Sequence, residues 1–188
     1  RVAMVVPEPL EPSSDGLCVA FTIEVPFCSD YGPFSESGFM ERVIFDGKPG
    51  YYTSHVYLDN VKAIVSGRER WGTPKEFADV ELRIEGGALT GTTTVEGLTL
   101  MTMRTEMGEP ASEDDMMPMF PSYRLKIIPK ADGPGFSLKQ VVSVGPTEAT
   151  THALFKGTGS LGLHPAVDWD LAALEPVDTL DAFYSESS

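Results

Sequence analysis

The 188 residues carry 14 basic and 28 acidic side chains, a net charge of −14 that repels nucleic-acid phosphates and excludes a nucleic-acid binder. With 41% hydrophobic and 22% charged residues the chain suits one soluble globular domain, and no apolar run approaches the ~20 residues of a membrane span. Two cysteines, Cys18 and Cys28, are too few for a disulfide framework, and His55, His152 and His164 are too scattered for a structural zinc site.

The acidic balance gives no general attraction for an anionic substrate, so any cation that binds an acid must act locally. The chain starts at Arg1 rather than Met, and the expectation is a single domain over residues 1–188 whose N-terminal segment is missing. In chain order, Leu17 to Val25 alternates, with Val19, Phe21, Ile23 and Val25 on one face and Ala20, Thr22 and Glu24 on the other. Val43 to Phe45, then Asp46-Gly47, then Tyr51 to Leu58 predicts a hairpin on a type I′ turn. On the second of these strands His55 shares a face with Tyr51, Thr53 and Tyr57, which favours a core or cavity histidine over a catalytic base. Thr73-Pro74-Lys75-Glu76 fits a helix start, with Thr73 as cap, Pro74 at the first position and Glu76 completing a capping box.

Val80 to Ile84, Leu89 to Val95 and Leu98 to Arg104, separated by Gly86-Gly87 and Glu96-Gly97, predict a meander. Glu106 to Pro121 mixes Glu109, Glu113, Asp114 and Asp115 with Met116, Met117 and Met119. It reads either as a solvated loop or as a lid with adaptable methionine contacts. Tyr123 to Ile128 and Phe136 to Val144 form another strand pair across Asp132-Gly133-Pro134-Gly135. A short helix over Val167 to Leu174 follows, with Asp168 and Asp170 beside Trp169 as surface or cap residues. So many strands on short turns predict a mainly β protein, an antiparallel sheet closed or folded on itself with few short helices.

The lysine of Trp71-Gly72-Thr73-Pro74-Lys75-Glu76-Phe77 has two readings. Lys75 is a solvated residue of a helix turn, or it is a buried nucleophile. The second reading requires a neutral amine, which burial and a helix N-terminus favour and a nearby Glu76 carboxylate opposes.

Six segments bear on the choice: Val5-Val6-Pro7-Glu8-Pro9-Leu10, Ser35-Glu36-Ser37-Gly38, Tyr57-Leu58-Asp59-Asn60, Ala63-Ile64-Val65-Ser66-Gly67-Arg68-Glu69, Pro74-Lys75, and Tyr123-Arg124-Leu125-Lys126-Ile127-Ile128-Pro129. In order and spacing, across nearly the whole chain, they resemble the acetoacetate decarboxylase family. The resemblance implies a barrel-like fold, a cofactor-free Schiff-base lyase and a homo-oligomer, here with a cytoplasmic location. It implies that Lys75 is the Schiff-base lysine and that Glu36 is an acidic residue of the cavity that orients substrate or moves a proton. Arg68 and Glu69 match the family's Gly-Arg-Glu, as an ion pair or hydrogen-bonded support near the lysine.

The chain also departs from the family pattern. Glu76 replaces a second lysine and Thr73 replaces an aromatic residue. Thr22 stands where a second cavity glutamate is usual, with Glu24 on the same strand face as a possible compensation. An arginine of the family's N-terminal segment has no counterpart. Thr22, Thr73 and Glu76 are therefore expected to line a pocket altered in shape and charge. The expected substrate is a small-molecule keto acid or other carbonyl compound. The leading expectation is β-keto acid decarboxylation. Its rivals are an aldolase-dehydratase that condenses a keto acid with an aldehyde, and a non-catalytic small-molecule binder.

Overall fold

A computed structural model describes residues 1–145, 149–165, 170–174 and 176–188. Among the described residues, twelve strands form two sheets. After a short helix, α1 (Val2–Val5), the first sheet takes β1 (Glu11–Pro12), β2 (Cys18–Val25), β3 (Phe34–Phe45) and β4 (Lys48–Leu58). It adds β5 (Lys75–Phe77), and later β9 (Ser122–Pro129) and β10 (Phe136–Val144). The second sheet is built from β6 (Asp79–Glu85), β7 (Ala88–Val95) and β8 (Leu98–Pro110), followed by β11 (Thr151–Leu163) and β12 (Ala182–Ser187). The result is the expected mainly β architecture, with curled antiparallel sheets and little helix.

The predicted turns hold because their residues supply the backbone angles. Asp46 and Gly47 both have positive φ, 49° and 71°, and pair Phe45 with Lys48. Gly86-Gly87 and Glu96-Gly97 repeat the same device between β6, β7 and β8. The β9–β10 pair also forms, in antiparallel register.

Between the sheets, Phe39 and Tyr57 of the first pack with Val80 and Leu100 of the second, closed by Leu171 and Leu174. Ser37 and Thr93 share a 2.6 Å hydrogen bond across the same gap. Residues 170–174 form a 3-10 turn, so the C-terminal part of the expected helix is present. Val167, Asp168 and Trp169 lie outside the described residues.

One edge of β4 decides where the cavity lies. Its other edge pairs with β3 along most of its length. This edge is shared by two parallel partners: β9 at Tyr51 and Tyr52, and β5 at Val56 to Leu58. Thr53 to His55 lie between them without a strand partner on that side. A β-bulge sits in the same place, since Phe39 pairs His55 while Met40 pairs Thr53, leaving Ser54 extra. Simple alternation would put Thr53 on the face of His55 and Tyr57. The extra residue instead turns Thr53 to the side of Val56, and both line the cavity, while His55 stacks on Tyr57.

Sequence reading missed a helix. α2 (Val61–Ser66) runs directly into a π-helical turn, Gly67–Trp71. Asn60 caps it, Oδ1 accepting from Ala63 N at 3.1 Å, while its amide donates to the Tyr31 carbonyl at 3.0 Å. β11 and β12 were likewise not anticipated.

Glu41 is fully buried in β3. Ser54 Oγ donates to its Oε1 at 2.6 Å and also contacts His55 Nδ1 at 2.7 Å. Burial pushes the Glu41 carboxyl up to about 8, against the Ser54 hydrogen bond, which lowers it. The folded protein therefore keeps a proton that the unfolded chain, with a glutamate near 4.3, has already lost. Unfolding between those values releases a proton, so stability falls as pH rises from about 4.3 to about 8. We expect Glu41→Gln to flatten this dependence by up to about 1.4 kcal/mol per pH unit, read from urea unfolding across that range. A pH dependence equal to that of the parent protein would show that Glu41 is charged when folded.

Candidate active site

Lys75 begins β5, and the route to it is set by its neighbours. Gly72, at φ 73°, ends the π turn, its N–H bonded to the carbonyls of Arg68 and Gly67. It passes so close to β9 that a Cβ there would lie 2.5 Å from the Lys126 Cα. Lys75 N–H then bonds the Thr73 carbonyl at 2.8 Å, two residues back. That is a γ-turn around Pro74, whose fixed φ suits it. The chain leaves this turn extended and joins β4, so the expected helix start at Thr73-Pro74-Lys75-Glu76 does not form. The parallel ladder to Val56 through Leu58 wins over the local capping signal.

The strand gives Lys75 and Glu76 opposite faces. Lys75 turns inward, its Nζ 2.6 Å from Glu36 Oε2, with both side chains about 15% exposed, at 15% and 14%. Glu36 belongs to β3, beside Leu58 of β4. Gly67 packs on the lysine stem: a Cβ there would lie 2.6 Å from Cδ and 2.7 Å from Cε. Arg68 donates to the Lys75 carbonyl at 3.0 Å and fixes the backbone. Phe34 presents its ring 5.9 Å from Nζ.

These groups border a cavity of about 200 Å³, smaller than the roughly 300–1,000 Å³ of drug-sized ligand sites and suited to a small metabolite. Phe21, Met40 and Val56 give it an apolar wall, and Tyr31 and Ser66 close one side through a 2.7 Å hydrogen bond. Thr53, Thr73 and Arg124 form a polar side. Arg124 Nε donates to Thr73 Oγ1 at 3.2 Å, and its NH1 donates to Ser122 Oγ. Ser122 in turn meets Thr53 at 3.2 Å. Burial pulls the Arg124 guanidinium below its ordinary value, and the charge of Glu36 works the other way. A second cleft, with Asp59, Asp79 and Glu81 on its wall, offers neither a lysine nor an arginine.

Of the five residues singled out by sequence, the cavity brings together Lys75, Glu36 and Thr73. Thr73 is there as a hydrogen-bond acceptor for Arg124 rather than as a helix cap. Thr22 is not a lining residue. It points between the sheets, its Oγ1 3.4 Å from Met103 Sδ and packed on Gly91, because its neighbour Phe21 takes the cavity side of β2. Glu76 is also outside the cavity and exposed; its charge acts on Tyr57, whose phenol is raised first by burial and then by Glu76. Arg68 and Glu69 do not form an ion pair among the described residues, and Arg68 supports the lysine through its carbonyl instead. No residue of the expected lid, Glu106 to Pro121, lines the cavity; its first part is the end of β8.

Sequence reasoning missed Gly67 and Arg124 as site residues, although both lay in segments it quoted. Their signals were available. Arg124 lies two residues from Ser122 on one face of β9, and a glycine precedes Arg68 where a helix would accept alanine.

The family model for acetoacetate decarboxylase matches residues 1–188. The chain belongs to the acetoacetate decarboxylase family. Acetoacetate decarboxylase 1 of Bradyrhizobium diazoefficiens is 31% identical over 188 residues, covering 97% of this chain and 74% of that protein. The acetoacetate decarboxylase of Chromobacterium violaceum is 30% identical over 186 residues, 96% of this chain and 74% of that one. A solved acetoacetate decarboxylase superposes with a TM-score of 0.92 at 28% identity, over 99% of this chain and 77% of its own. The fold is also shared with an enduracididine biosynthesis enzyme complexed with pyruvate, with a TM-score of 0.81 at 18% identity, over 99% of this chain and 80% of that one. Family membership makes this a decarboxylase-like enzyme.

The packing of Gly67 on the lysine stem gives a direct test. Gly67 has ordinary right-handed helical angles, φ −62° and ψ −41°, so alanine is favoured there by the backbone by about 1 kcal/mol. Its methyl group must displace the Lys75 stem and with it Nζ. Gly67→Ala is expected to keep a cooperative thermal transition while lowering turnover roughly 100-fold. Unchanged kinetics would mean that this contact does not position the lysine.

Proposed function

We propose that the protein is a cofactor-free lyase that decarboxylates a β-keto acid through a Schiff base on Lys75. The observation that carries this reading is the 2.6 Å contact between Lys75 Nζ and Glu36 in a small cavity. A lysine ammonium is not a nucleophile. A carboxylate beside it favours the ammonium at rest, and what Glu36 supplies at hydrogen-bond distance is a general base placed to accept the proton that the lysine sheds as it adds to the substrate carbonyl.

The amine adds to the ketone carbon, water leaves, and an iminium forms. The bond from the α-carbon to the carboxylate then breaks. Its electron pair becomes the enamine double bond as the iminium nitrogen takes up the displaced electrons, and carbon dioxide departs. The proton that Glu36 accepted leaves with the hydroxyl as water, so the one delivered to the α-carbon comes from solvent, with Glu36 placed to relay it. Water hydrolyses the resulting iminium and frees the lysine. The apolar wall of Phe21, Met40 and Val56 favours this step, because the reaction disperses the negative charge of a carboxylate into neutral products.

A second reading uses the same enamine to attack an aldehyde, followed by loss of water. A fold neighbour, an enduracididine biosynthesis enzyme, is complexed with the condensation product of pyruvate and imidazole 4-carboxaldehyde. In this chain the placement of Thr22 between the sheets favours that alternative, since no second acid comes from β2.

Incubation with a β-keto acid and borohydride, followed by peptide mass spectrometry, is expected to place a reduced adduct on Lys75. Lys75→Ala should abolish both adduct and carbon dioxide release, and Glu36→Gln should lower release roughly 100- to 10,000-fold. An adduct on Lys62 or Lys126 with Lys75 unmodified would overturn the assignment. Condensation with aldehydes and no carbon dioxide above the Lys75→Ala background would decide for the second reading.

A further inference from the structure

Arg124 is the one cation of the cavity wall that the reading above leaves unused. It comes from β9, across the fork from β5, and is largely buried, yet none of the ion pairs among the described residues includes it. Its partners are neutral: Nε donates to Thr73 Oγ1, and NH1 to Ser122 Oγ. Among the described residues Glu36 is the one carboxylate on the cavity wall, and it is engaged by Lys75 at 2.6 Å and acts on Arg124 only through space. The remaining guanidinium N–H groups have no acceptor among the described residues. Those groups are not sealed from solvent, so an anion that enters the cavity can reach them and pair with the guanidinium. Two neutral acceptors fix the plane of the guanidinium, and they leave its charge available for a planar, two-oxygen partner.

We propose that Arg124 receives a substrate carboxylate that the reaction does not remove. This inference rests on the Schiff-base reading of Lys75. The argument turns on which carboxylate a cation can hold without slowing the chemistry. A carboxylate about to leave as carbon dioxide has its full negative charge only in the ground state. A guanidinium paired with it would bind the ground state more tightly than the transition state and raise the barrier. The scissile group is better placed against the apolar wall and near the negative charge of Glu36. A second carboxylate, unchanged through the reaction, gains the same pairing energy throughout and pays nothing at the transition state.

For a decarboxylase the consequence is a substrate class: β-keto acids with a further carboxylate, rather than acetoacetate. The residue that accepts from Arg124 Nε is Thr73, at a position where this chain departs from the family pattern. On a chain of net charge −14, this is the local cation that an acidic substrate needs.

The test compares carbon dioxide release from 3-oxoglutarate and from acetoacetate by the parent protein, Arg124→Gln and Arg124→Lys. The parent is expected to prefer 3-oxoglutarate in kcat/KM. Arg124→Gln should lower that preference roughly 10- to 100-fold, and Arg124→Lys, which keeps the charge but not the fork, should fall between. Calorimetry gives a readout independent of turnover: glutarate, which has no ketone, is expected to bind the parent protein. Reaction of Lys75 with pentane-2,4-dione, which has no carboxylate, reports the nucleophile separately. Failure of that label on the parent protein would remove the Schiff-base reading. A labelled Lys75 with no preference for 3-oxoglutarate, an unchanged preference in both variants, or no binding of glutarate would overturn the role of Arg124 alone.

Discussion

The site depends on one edge of one strand. β4 can offer its free edge to a single partner at each residue, and it gives the first part to β9 and the last part to β5. Both partners run parallel to it, and neither reaches Thr53 to His55. The Ser54 bulge falls in this unpaired interval and reverses the alternation of the strand there. Thr53 and Val56 consequently face the same cavity. Lys75 enters from one branch of the fork and Arg124 from the other, while Glu36 comes from β3, on the far side of β4. The hydrogen bond from Arg124 to Thr73, just before β5, ties the branches together. A cavity in this position is a consequence of strand pairing, and its polar groups are arranged by the same pairing.

The electrostatics of the cavity run against those of the chain. Acidic residues outnumber basic ones by two to one, 28 against 14, yet the lining carries two cations and one carboxylate: Lys75, Arg124 and Glu36. Glu36 lies at hydrogen-bond distance from the lysine and acts on the arginine without a direct contact. The two cations are thus in different states. Lys75 has a base beside it that can take its proton. Arg124 has only neutral acceptors and stays charged, since a guanidinium does not give up its proton under ordinary conditions. One is suited to covalent chemistry with a carbonyl, the other to binding an anion.

Much of the fold was legible because it is written in local chemistry. Asp46-Gly47, Gly86-Gly87 and Glu96-Gly97 need positive φ at both turn positions, and those residue types supply it. The alternation of β2 and the β9–β10 pair could be read from the residue pattern, whereas only the end of β3 was read and the Ser54 bulge breaks the alternation expected along β4. The errors came where pairing between distant segments overrode a local signal. Thr73-Pro74-Lys75-Glu76 has every mark of a helix start, but the backbone of Lys75 to Phe77 gains a ladder with β4. The helix before it was missed because Ala63-Ile64-Val65 is too short an apolar run to reveal a 3.6-residue period, and Asn60 was not weighed as a cap. Thr22 was placed by alignment with a family acid. Which side of β2 faces the cavity depends on how that strand sits on β3, and Phe21 takes that side.

The departures from the family pattern acquire a physical order once they are located. Glu76, which replaces a lysine, lies outside the cavity and near Tyr57, so this exchange alters charge behind the site rather than contact within it. Thr22 has no polar partner in the cavity and bonds to a methionine sulfur instead. Thr73 differs from both. Its hydroxyl is an acceptor for Arg124 on the cavity wall. Thr73, a departure from the family pattern, and Arg124, which lies in a segment that resembles it, are joined by one hydrogen bond. They join the two branches of the fork through a charged hydrogen bond and put a cation opposite the lysine. The lysine, its carboxylate and the glycine beneath it pack as one unit at the cavity, and under the proposed reading this pair bears on which acids the cavity can hold.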